Sequence, residues 1–208
     1  MGKSLLNTHF AAGATVVLNN KFAYPASVIQ QMIAEKVTAF SGVPSTYAYL
    51  LHRSPLFKYR NKLKHLRYCS QAGGHMSKEI KIELEGVLPR HTKIYIMYGA
   101  TEASSRISCL KPERYKDKMG SIGKPIAGVT LRILDKNMKS VPVGQTGEIV
   151  AAGPNIMQGY WRDSQLTSHV LTESGYRTGD MGYEDEDGYF FVTGRKDNIL
   201  KVNGHRIN

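Results

Sequence analysis

The sequence predicts an α/β fold, in which part of a parallel α/β sheet is followed by a small antiparallel, barrel-like sheet. Up to about residue 110, segments with apolar residues at the helical period alternate with short β-branched apolar runs. This order indicates strands separated by helices, and strands connected in this way pair in parallel. From about Gly120 the apolar residues recur at every second position, which is typical of antiparallel strands with one buried face. The change from one apolar pattern to the other predicts two subdomains.

The elements of the first part follow from local signals. Pro25 opens a helix because its missing N–H is not needed at the first helical position, and Ser77 is a plausible N-cap with Glu79 in the first turn. The predicted strands are residues 13–18, 37–40, 66–70 and Lys93–Tyr98, and the predicted helices are residues 25–36, 45–52 and 77–88.

The second part is predicted to be mainly β. Residues 129–134 and 147–151 alternate as strands, and Asp187-Gly188 joins two short aromatic runs as a hairpin. A short helix is expected at residues 164–171. The polar stretch 111–118 separates the two parts, so the predicted divisions are 1–115, 119–193 and a hinge segment 194–208 that ends at the start of a further C-terminal domain.

Composition excludes several classes of protein. The 208 residues include 41% hydrophobic residues, which argues against disorder, and no apolar run approaches the ~18 residues of a membrane span. The first residues contain no long apolar core, so we expect no secretory signal, and Cys69 and Cys109 have no metal-ligand spacing. We therefore expect a cytoplasmic protein with reduced cysteines; a homo-oligomer is compatible with the sequence.

The net charge of +11 is concentrated in residues 51–118, which carry 15 Lys/Arg and 6 Asp/Glu. Such an excess is compatible with a nucleic acid, with a polyanion such as a nucleotide or coenzyme A, or with a solvated surface. No aromatic platform or nucleic-acid module accompanies it, so the sequence predicts no nucleic-acid partner.

Two loops that follow predicted strands are candidates for ligand binding, because ligands of α/β sheets bind beyond the carboxyl ends of the strands. The paired glycines Gly73-Gly74 would let a flat base approach the backbone, and His75 beside them is kept as a pocket candidate. The other loop, Tyr98-Gly99-Ala100-Thr101-Glu102, offers a ring for stacking, a hydroxyl for phosphate and a carboxylate for Mg²⁺. An ordinary turn with a solvent-facing Glu is the alternative.

The third candidate segment is Arg177 to Gly182. There the Asp180 carboxylate could accept both hydroxyls of a ribose, or could simply cap an Asx-type turn. Arg195 could pair with a phosphate or ribose, or with the acidic run at residues 184–187.

Four motifs occur in a fixed order along the chain. They are Tyr98-Gly99-Ala100-Thr101-Glu102, Gly147-Glu148-Ile149 with Gly159-Tyr160, Tyr176-Arg177-Thr178-Gly179-Asp180, and Gly194-Arg195-Lys196-Asp197 with Lys201 and Gly204. With these motifs the chain resembles the adenylate-forming superfamily of acyl-CoA synthetases, luciferases and peptide-synthetase adenylation domains, and residues 37–51 make it most similar to acyl-CoA synthetases.

The resemblance implies roles for individual residues. Gly73, Gly74, Tyr98 and Gly99 would border the adenine, Thr101 would contact the α-phosphate, and Glu102 would bind magnesium. Asp180 would hold the ribose hydroxyls and Arg195 the ribose or phosphate; Thr101 and Glu102 would be the catalytic pair. Asp197 would be the hinge residue, and Gly204 would lie on the loop that faces coenzyme A.

The implied reaction joins a carboxylic acid to coenzyme A at the expense of ATP, with Mg²⁺, through an acyl-adenylate. The family's Ser/Thr/Gly-rich phosphate loop and its C-terminal lysine are not found in the sequence, so we expect an internal piece of a larger enzyme with negligible synthetase activity by itself. An adenylation domain that loads a carrier protein, and a nonenzymatic nucleotide-binding module, are the alternatives.

Overall fold

The computed structural model describes residues 2–196, 200–202 and 205–207. The chain divides into two compact units, Met1–Tyr95 and Ile96–Asn208, and strand β3 (Lys93–Tyr98) crosses from one to the other. None of the helices within the described residues has the length and apolar character that crossing a membrane requires.

The first unit combines helices with parallel strands. Strands β1 and β2 pair in parallel, from Ala39 opposite Tyr68 to Gly42 opposite Gln71, and the amide of Lys93 at the start of β3 donates to the Arg67 carbonyl beside β2. The predicted parallel pairing is thus present. The elements are α1 (Gly2–Ala11), α2 (Pro25–Ala34), β1 (Ala39–Gly42), α3 (Pro44–Arg53), α4 (Leu56–Tyr59), β2 (Tyr68–Gln71) and α5 (Lys78–Val87).

Helix boundaries in this unit follow the predicted signals. Pro25 occupies the first turn of α2, and the Ser77 hydroxyl accepts a hydrogen bond of 3.3 Å from the amide of Ile80 at the start of α5. The α2 residues Val28, Ile29 and Met32 are buried, and α3 packs against α2 and α5. The apolar helix faces therefore form the core that covers the strands.

One predicted strand of this unit is wrong. Among the described residues, 14–19 form neither helix nor strand, and Leu18 is 77% exposed. A β-branched run becomes a strand only when a neighbouring strand pairs with its backbone, and here the Leu18 carbonyl instead accepts a bond from the Gln31 side chain. The helix α1 before it was not predicted.

The second unit is mainly antiparallel. One sheet has the strand order β10-β9-β7-β6, with β8 paired to β9, and the end of β3 pairs with β4, which pairs with β5. The elements are β4 (Ser108–Leu110), β5 (Lys124–Pro125), β6 (Thr130–Leu134), β7 (Gly147–Ala152), α6 (Ser164–Val170), β8 (Leu171–Thr172), β9 (Gly175–Glu184), β10 (Phe190–Arg195), β11 (Leu200–Val202) and β12 (His205–Ile207).

Alternating residues of these strands form the core of the second unit. The buried cluster comprises Ala103, Ile107, Val129, Leu131, Ile133, Ile149, Ala151, Tyr176 and Phe190. The fold class predicted from the sequence, an α/β part followed by a barrel-like antiparallel sheet, is confirmed. The sequence divisions at 115 and 193 stay a prediction. Cys69 and Cys109 are free thiols, and burial raises the pKa of Cys69 to about 12.

Candidate active site in the second unit

Strand β9 has a bulge next to Asp180, on the side that pairs with β7. Arg177 lies opposite Val150 of β7 and Met181 lies opposite Glu148, so the three residues 178–180 face a single residue of the partner strand. The buried Thr178 hydroxyl fixes this bulge, because it donates to the Ile149 carbonyl (2.7 Å) and accepts from the Asp180 amide (3.1 Å). Bulges of this kind redirect side chains, and here a carboxylate is redirected.

The Asp180 carboxylate has two protein partners. Arg195 lies directly opposite Asp180 on β10, and its Nη1 atom donates to Asp180 Oδ1 at 2.9 Å. The Tyr98 hydroxyl donates to Oδ2 at 2.5 Å. Burial, and then the adjacent Asp180 charge, hold the pKa of Tyr98 well above its ordinary value, so this phenol remains a hydrogen-bond donor. The structure therefore brings together three residues that lie up to 97 positions apart, from Tyr98 to Arg195.

The alternative pairing of Arg195 with the acidic run 184–187 does not occur. Asp185 and Asp187 instead each accept a contact of 2.6 Å from Lys118, and the side chain of Lys118 is only 15% exposed. The guanidinium of Arg195 thus pairs with the carboxylate that was predicted to bind ribose, and its buried Nε atom has no hydrogen-bond partner among the described residues.

The loop that follows β3 carries Thr101 and Glu102 on a 3₁₀ turn, Thr101–Ala103. Thr101 is exposed and Glu102 is half-buried. Gly99, which precedes the turn, is needed for steric reasons: a Cβ atom there would lie 2.4 Å from the Ser105 carbonyl oxygen. The backbone of Ser105 and Arg106 therefore packs directly against Gly99.

Glu102 has a partner to which the sequence analysis assigned no role. The Tyr160 hydroxyl donates to Glu102 Oε1 at 2.7 Å, and the Met157 amide donates to the Glu102 carbonyl at the same distance. Nearby Tyr176 is buried, and burial followed by the Glu102 charge raises its pKa. The motif Gly159-Tyr160 was the available signal, but a tyrosine alone does not identify its partner.

Helix α6 positions Tyr160. Asp163 caps the helix by accepting from the Leu166 amide at 2.9 Å, and the Thr167 hydroxyl accepts from the Tyr160 amide at 2.9 Å. The next residue, Trp161, is 87% exposed, and its ring lies 5.5 Å from the Arg162 guanidinium carbon. A helix cap therefore fixes the backbone from which the Tyr160 side chain reaches Glu102.

A second charged group lies at the base of the bulge. Glu148 Oε2 accepts from Arg177 Nη2 (2.7 Å) and Nε (3.2 Å) and from Lys196 Nζ (3.2 Å). Burial by itself would raise the pKa of Glu148, but the donations from Arg177 and Lys196 outweigh it and hold the pKa below its ordinary value. The Lys196 amide also donates to the Gly179 carbonyl, so this group ties the end of β10 to the bulge.

The remaining predicted residues belong to the first unit or lie outside the described residues. Gly73, with φ of +86°, and Gly74 belong to the first unit, where the buried Gln71 side chain donates to the Gly74 carbonyl at 2.7 Å. Desolvation and the Lys81 charge lower the pKa of His75. Contact of this loop with a nucleotide stays a prediction. Asp197 and Gly204 lie outside the described residues.

Within the part of the chain that the structure describes, no group of three or more His, Cys, Asp or Glu side chains could hold a metal ion. Magnesium is commonly bound through one or two carboxylates together with substrate phosphates, and Glu102 offers one such carboxylate.

The chain is similar to proteins that are already known. The model of the family described as AMP-binding enzyme matches residues 1–161. The indoleacetate–CoA ligase of Aromatoleum aromaticum is 34% identical over 199 residues, which are 95% of this chain and 38% of that protein. The 2-succinylbenzoate–CoA ligase of Bacillus cytotoxicus is 34% identical over 207 residues, 99% of this chain and 41% of the relative.

Solved structures are similar as well. O-succinylbenzoate coenzyme A synthetase from Bacillus subtilis, in complex with ATP and magnesium ion, gives a TM-score of 0.82 at 27% identity, over 99% of this chain and 41% of that one. An amide bond synthetase from Marinactinospora thermotolerans gives 0.80 at 28% identity, over 88% and 36%. The chain thus spans about two-fifths of the length of the proteins it matches. On the evidence of its family match, this chain belongs to the AMP-binding enzyme family.

Proposed function

We propose that this chain is part of an ATP-dependent carboxylate–CoA ligase, which forms an acyl-adenylate and then an acyl-CoA thioester. The observation that carries the proposal is the Tyr98–Asp180–Arg195 group on the bulge of β9, in a chain whose relatives are named as CoA ligases. The Tyr160–Glu102 pair in the same unit adds a carboxylate for the metal.

In this proposal Asp180 binds the ribose of the nucleotide. An ionised carboxylate has about four acceptor sites, and the protein uses one on each oxygen, so two remain for the 2′- and 3′-hydroxyls. Arg195 and Tyr98 keep Asp180 oriented. The free Nε–H of Arg195 is a further donor that suits a ribose or phosphate oxygen.

Glu102 and Thr101 serve the phosphates. Tyr160 occupies one lone pair of Glu102 Oε1, which leaves the other oxygen of the carboxylate to ligate Mg²⁺, and the metal would neutralise phosphate charge. The exposed Thr101, one residue away, would donate its hydroxyl hydrogen to the α-phosphate.

The chemistry consists of two substitutions. A substrate carboxylate oxygen attacks the α-phosphorus of ATP, forming the P–O bond of the acyl-adenylate while the bond to pyrophosphate breaks. The thiolate of coenzyme A then attacks the acyl carbon, and AMP leaves with the electron pair of the C–O bond. Such transfers depend on positioning and charge stabilisation, which agrees with a site of metal, phosphate and ribose contacts.

The acceptor of the second step has one competing candidate. The likeness to an amide bond synthetase favours an amine in place of the thiol, which would form an amide from the same adenylate. The acyl-adenylate is common to both, so the first test addresses that intermediate.

The test is a calorimetric titration of the 208-residue chain with a non-hydrolysable acyl-adenylate analogue. Wild type is compared with Asp180→Ala, with the isosteric Asp180→Asn, and with the control Glu173→Ala, which removes an exposed carboxylate of the same unit. We expect both Asp180 variants to lose about 100-fold in affinity, since a hydrogen bond to an ionised group contributes ~1.5–3 kcal/mol, and Glu173→Ala to bind like wild type.

Equal affinity in wild type and both Asp180 variants would refute the assigned site and favour a different nucleotide-binding mode. A wild type that binds no analogue would refute the view that these residues form the nucleotide half of the site. Circular dichroism of each variant excludes unfolding as the cause of a loss.

A further inference from the structure

The loop that carries Thr101 and Glu102 has a strained backbone. Ser104 and Ser105, which end its 3₁₀ turn, have φ angles of +48° and +67°. Two successive non-glycine residues in the left-handed region are unfavourable, because the Cβ atom approaches the backbone carbonyl oxygen. Such a conformation persists only where the surroundings hold it.

One side chain outside the loop donates hydrogen bonds on both sides of the strained pair. Asn155 Nδ2 donates to the Ala103 carbonyl (3.0 Å) and to the Arg106 carbonyl (2.8 Å), so its two amide hydrogens bracket Ser104 and Ser105. The Ser104 hydroxyl donates back to the Asn155 carbonyl at 2.9 Å. These three bonds join the loop to the segment that follows β7.

The same segment also reaches Glu102 directly. Two residues after Asn155, the Met157 amide donates to the Glu102 carbonyl, and five residues after it Tyr160 donates to the carboxylate. Asn155 therefore joins the segment that carries Tyr160 to the loop that carries Glu102. A loop that relaxed to an ordinary conformation would turn Glu102 relative to its partner.

We infer that Asn155 is a positioning residue, which holds the strained Ser104–Ser105 backbone so that Glu102 presents its carboxylate to the metal of a bound metal–nucleotide. This inference rests on the proposed function for the role of Glu102. The holding of the loop is independent of that function and is tested separately.

The rival explanation is that the loop is stable by itself. It has internal hydrogen bonds, from the Ser105 amide to the Ala100 carbonyl (2.9 Å) and from the Ile107 amide to the Tyr98 carbonyl (2.9 Å). Those bonds close the loop at its base. Across the strained pair the Arg106 amide donates to the Ala103 carbonyl at 3.2 Å, and Asn155 adds donations to the carbonyls of both Ala103 and Arg106. Removal of Asn155 therefore distinguishes the two explanations.

Four variants make the test specific. Asn155→Ala removes both donors, and Asn155→Asp places an oxygen against two carbonyl oxygens at nearly constant shape. Asn137→Ala is the matched control, because Asn137 is exposed in the turn after β6. The double variant Asn155→Ala/Ser105→Gly tests rescue, since glycine adopts positive φ without strain and the Ser105 hydroxyl has no partner in the part of the chain that the structure describes.

The first measurement is amide hydrogen exchange of the free 208-residue chain. We expect faster exchange at Ser105 and Arg106 in Asn155→Ala and Asn155→Asp, with the strand amide of Val150 unchanged as an internal reference. Asn137→Ala should match wild type, and the rescue variant should recover part of the protection. Unchanged exchange at Ser105 and Arg106 in both Asn155 variants would overturn the inference.

The second measurement compares the affinity for Mg–ATP with that for AMP without metal. AMP reports the ribose contact of Asp180, whereas the gain from Mg²⁺ reports Glu102. We expect Asn155→Ala to lose about tenfold in Mg–ATP affinity, the size of effect known for groups that orient metal ligands, with AMP affinity retained and with partial recovery in the rescue variant.

The outcomes separate the two proposals. Equal loss of AMP and Mg–ATP affinity would mean a general structural defect and would overturn the positioning role. A wild type that binds neither nucleotide would overturn the proposed function, and hydrogen exchange alone would then decide whether Asn155 holds the loop.

Discussion

Replacing Glu148 by glutamine should destabilise the second unit in a pH-dependent manner. Glu148 Oε2 accepts three N–H donations, two from Arg177 and one from Lys196, while its side chain is only 8% exposed. The variant keeps the shape and an acceptor oxygen but removes the charge. Arg177 would then be left, 21% exposed, beside a neutral amide.

The size of the effect follows from these contacts. Hydrogen bonds to charged groups contribute ~1.5–3 kcal/mol and neutral ones ~0.5–1.5 kcal/mol, so the strong contact with Arg177 should lose roughly 1–1.5 kcal/mol. Lys196 is 48% exposed, and solvent screening limits its share to a few tenths of a kcal/mol. We expect a loss of about 1.5 kcal/mol in the free energy of unfolding at pH 7.

The pH dependence has a definite sign. The pKa of the Glu148 carboxyl is lower in the folded chain than in the unfolded chain. As the pH falls, the unfolded chain therefore takes up this proton before the folded chain does. The stabilisation is therefore complete above about pH 4.3 and is lost as the pH falls through the lower folded pKa. The difference between wild type and Glu148→Gln should shrink at acidic pH.

Urea unfolding followed by circular dichroism at a series of pH values measures this difference, with Glu173→Gln as the control at an exposed position. A difference between wild type and Glu148→Gln that stays constant from pH 7 to pH 3.5 would refute the reasoning, because it could not arise from the charge. A difference below 0.5 kcal/mol at pH 7 would show that the buried pair contributes no more than a surface contact.

Two further predictions concern Glu102 and the glycines. Tyr160→Phe removes the hydroxyl that donates to Glu102. Calorimetry should show Mg–ATP affinity about tenfold weaker than in wild type, with AMP affinity unchanged. Equal Mg–ATP affinity in the variant and in wild type would exclude an orienting role for the hydroxyl. Gly99→Ala would place a Cβ atom 2.4 Å from the Ser105 carbonyl oxygen and should lower the free energy of unfolding, measured in urea, by about 3 kcal/mol. Gly86→Ala is the control, because Gly86 faces open space in α5, and it should raise the free energy of unfolding by about 0.5–1 kcal/mol. A similar effect of both substitutions would contradict this steric account.

Local signals predicted elements well where the sequence itself supplies the cause. Strand β3 was predicted with the same bounds, Lys93–Tyr98, and the Ser77 cap and the Pro25 helix start are present. The failure at residues 14–19 has a different origin, because a strand depends on a neighbour that the local sequence does not specify. Strand β4 was missed for the same reason, since its three residues are defined by pairing with β3.

The site shows the same limit. Motifs singled out Tyr98, Glu102, Asp180 and Arg195, but the bond from Tyr98 to Asp180 joins residues that are 82 positions apart and depends on the bulge of β9. Asn155 was not predicted, because an asparagine after Gly-Pro is typical of a turn, and its importance depends on the φ angles of two serines elsewhere. Sequence patterns identify residue types suited to a chemistry, whereas the contacts that orient them require the fold.

The position of Trp161 has a practical consequence for all of these experiments. The chain contains a single tryptophan, and that residue directly follows the tyrosine bonded to Glu102 and is largely exposed to solvent. Tryptophan absorbs at longer wavelengths than tyrosine, so fluorescence excited selectively there originates one residue from Tyr160. The molecule therefore carries its own optical label at this position, and ligand titrations need no attached dye.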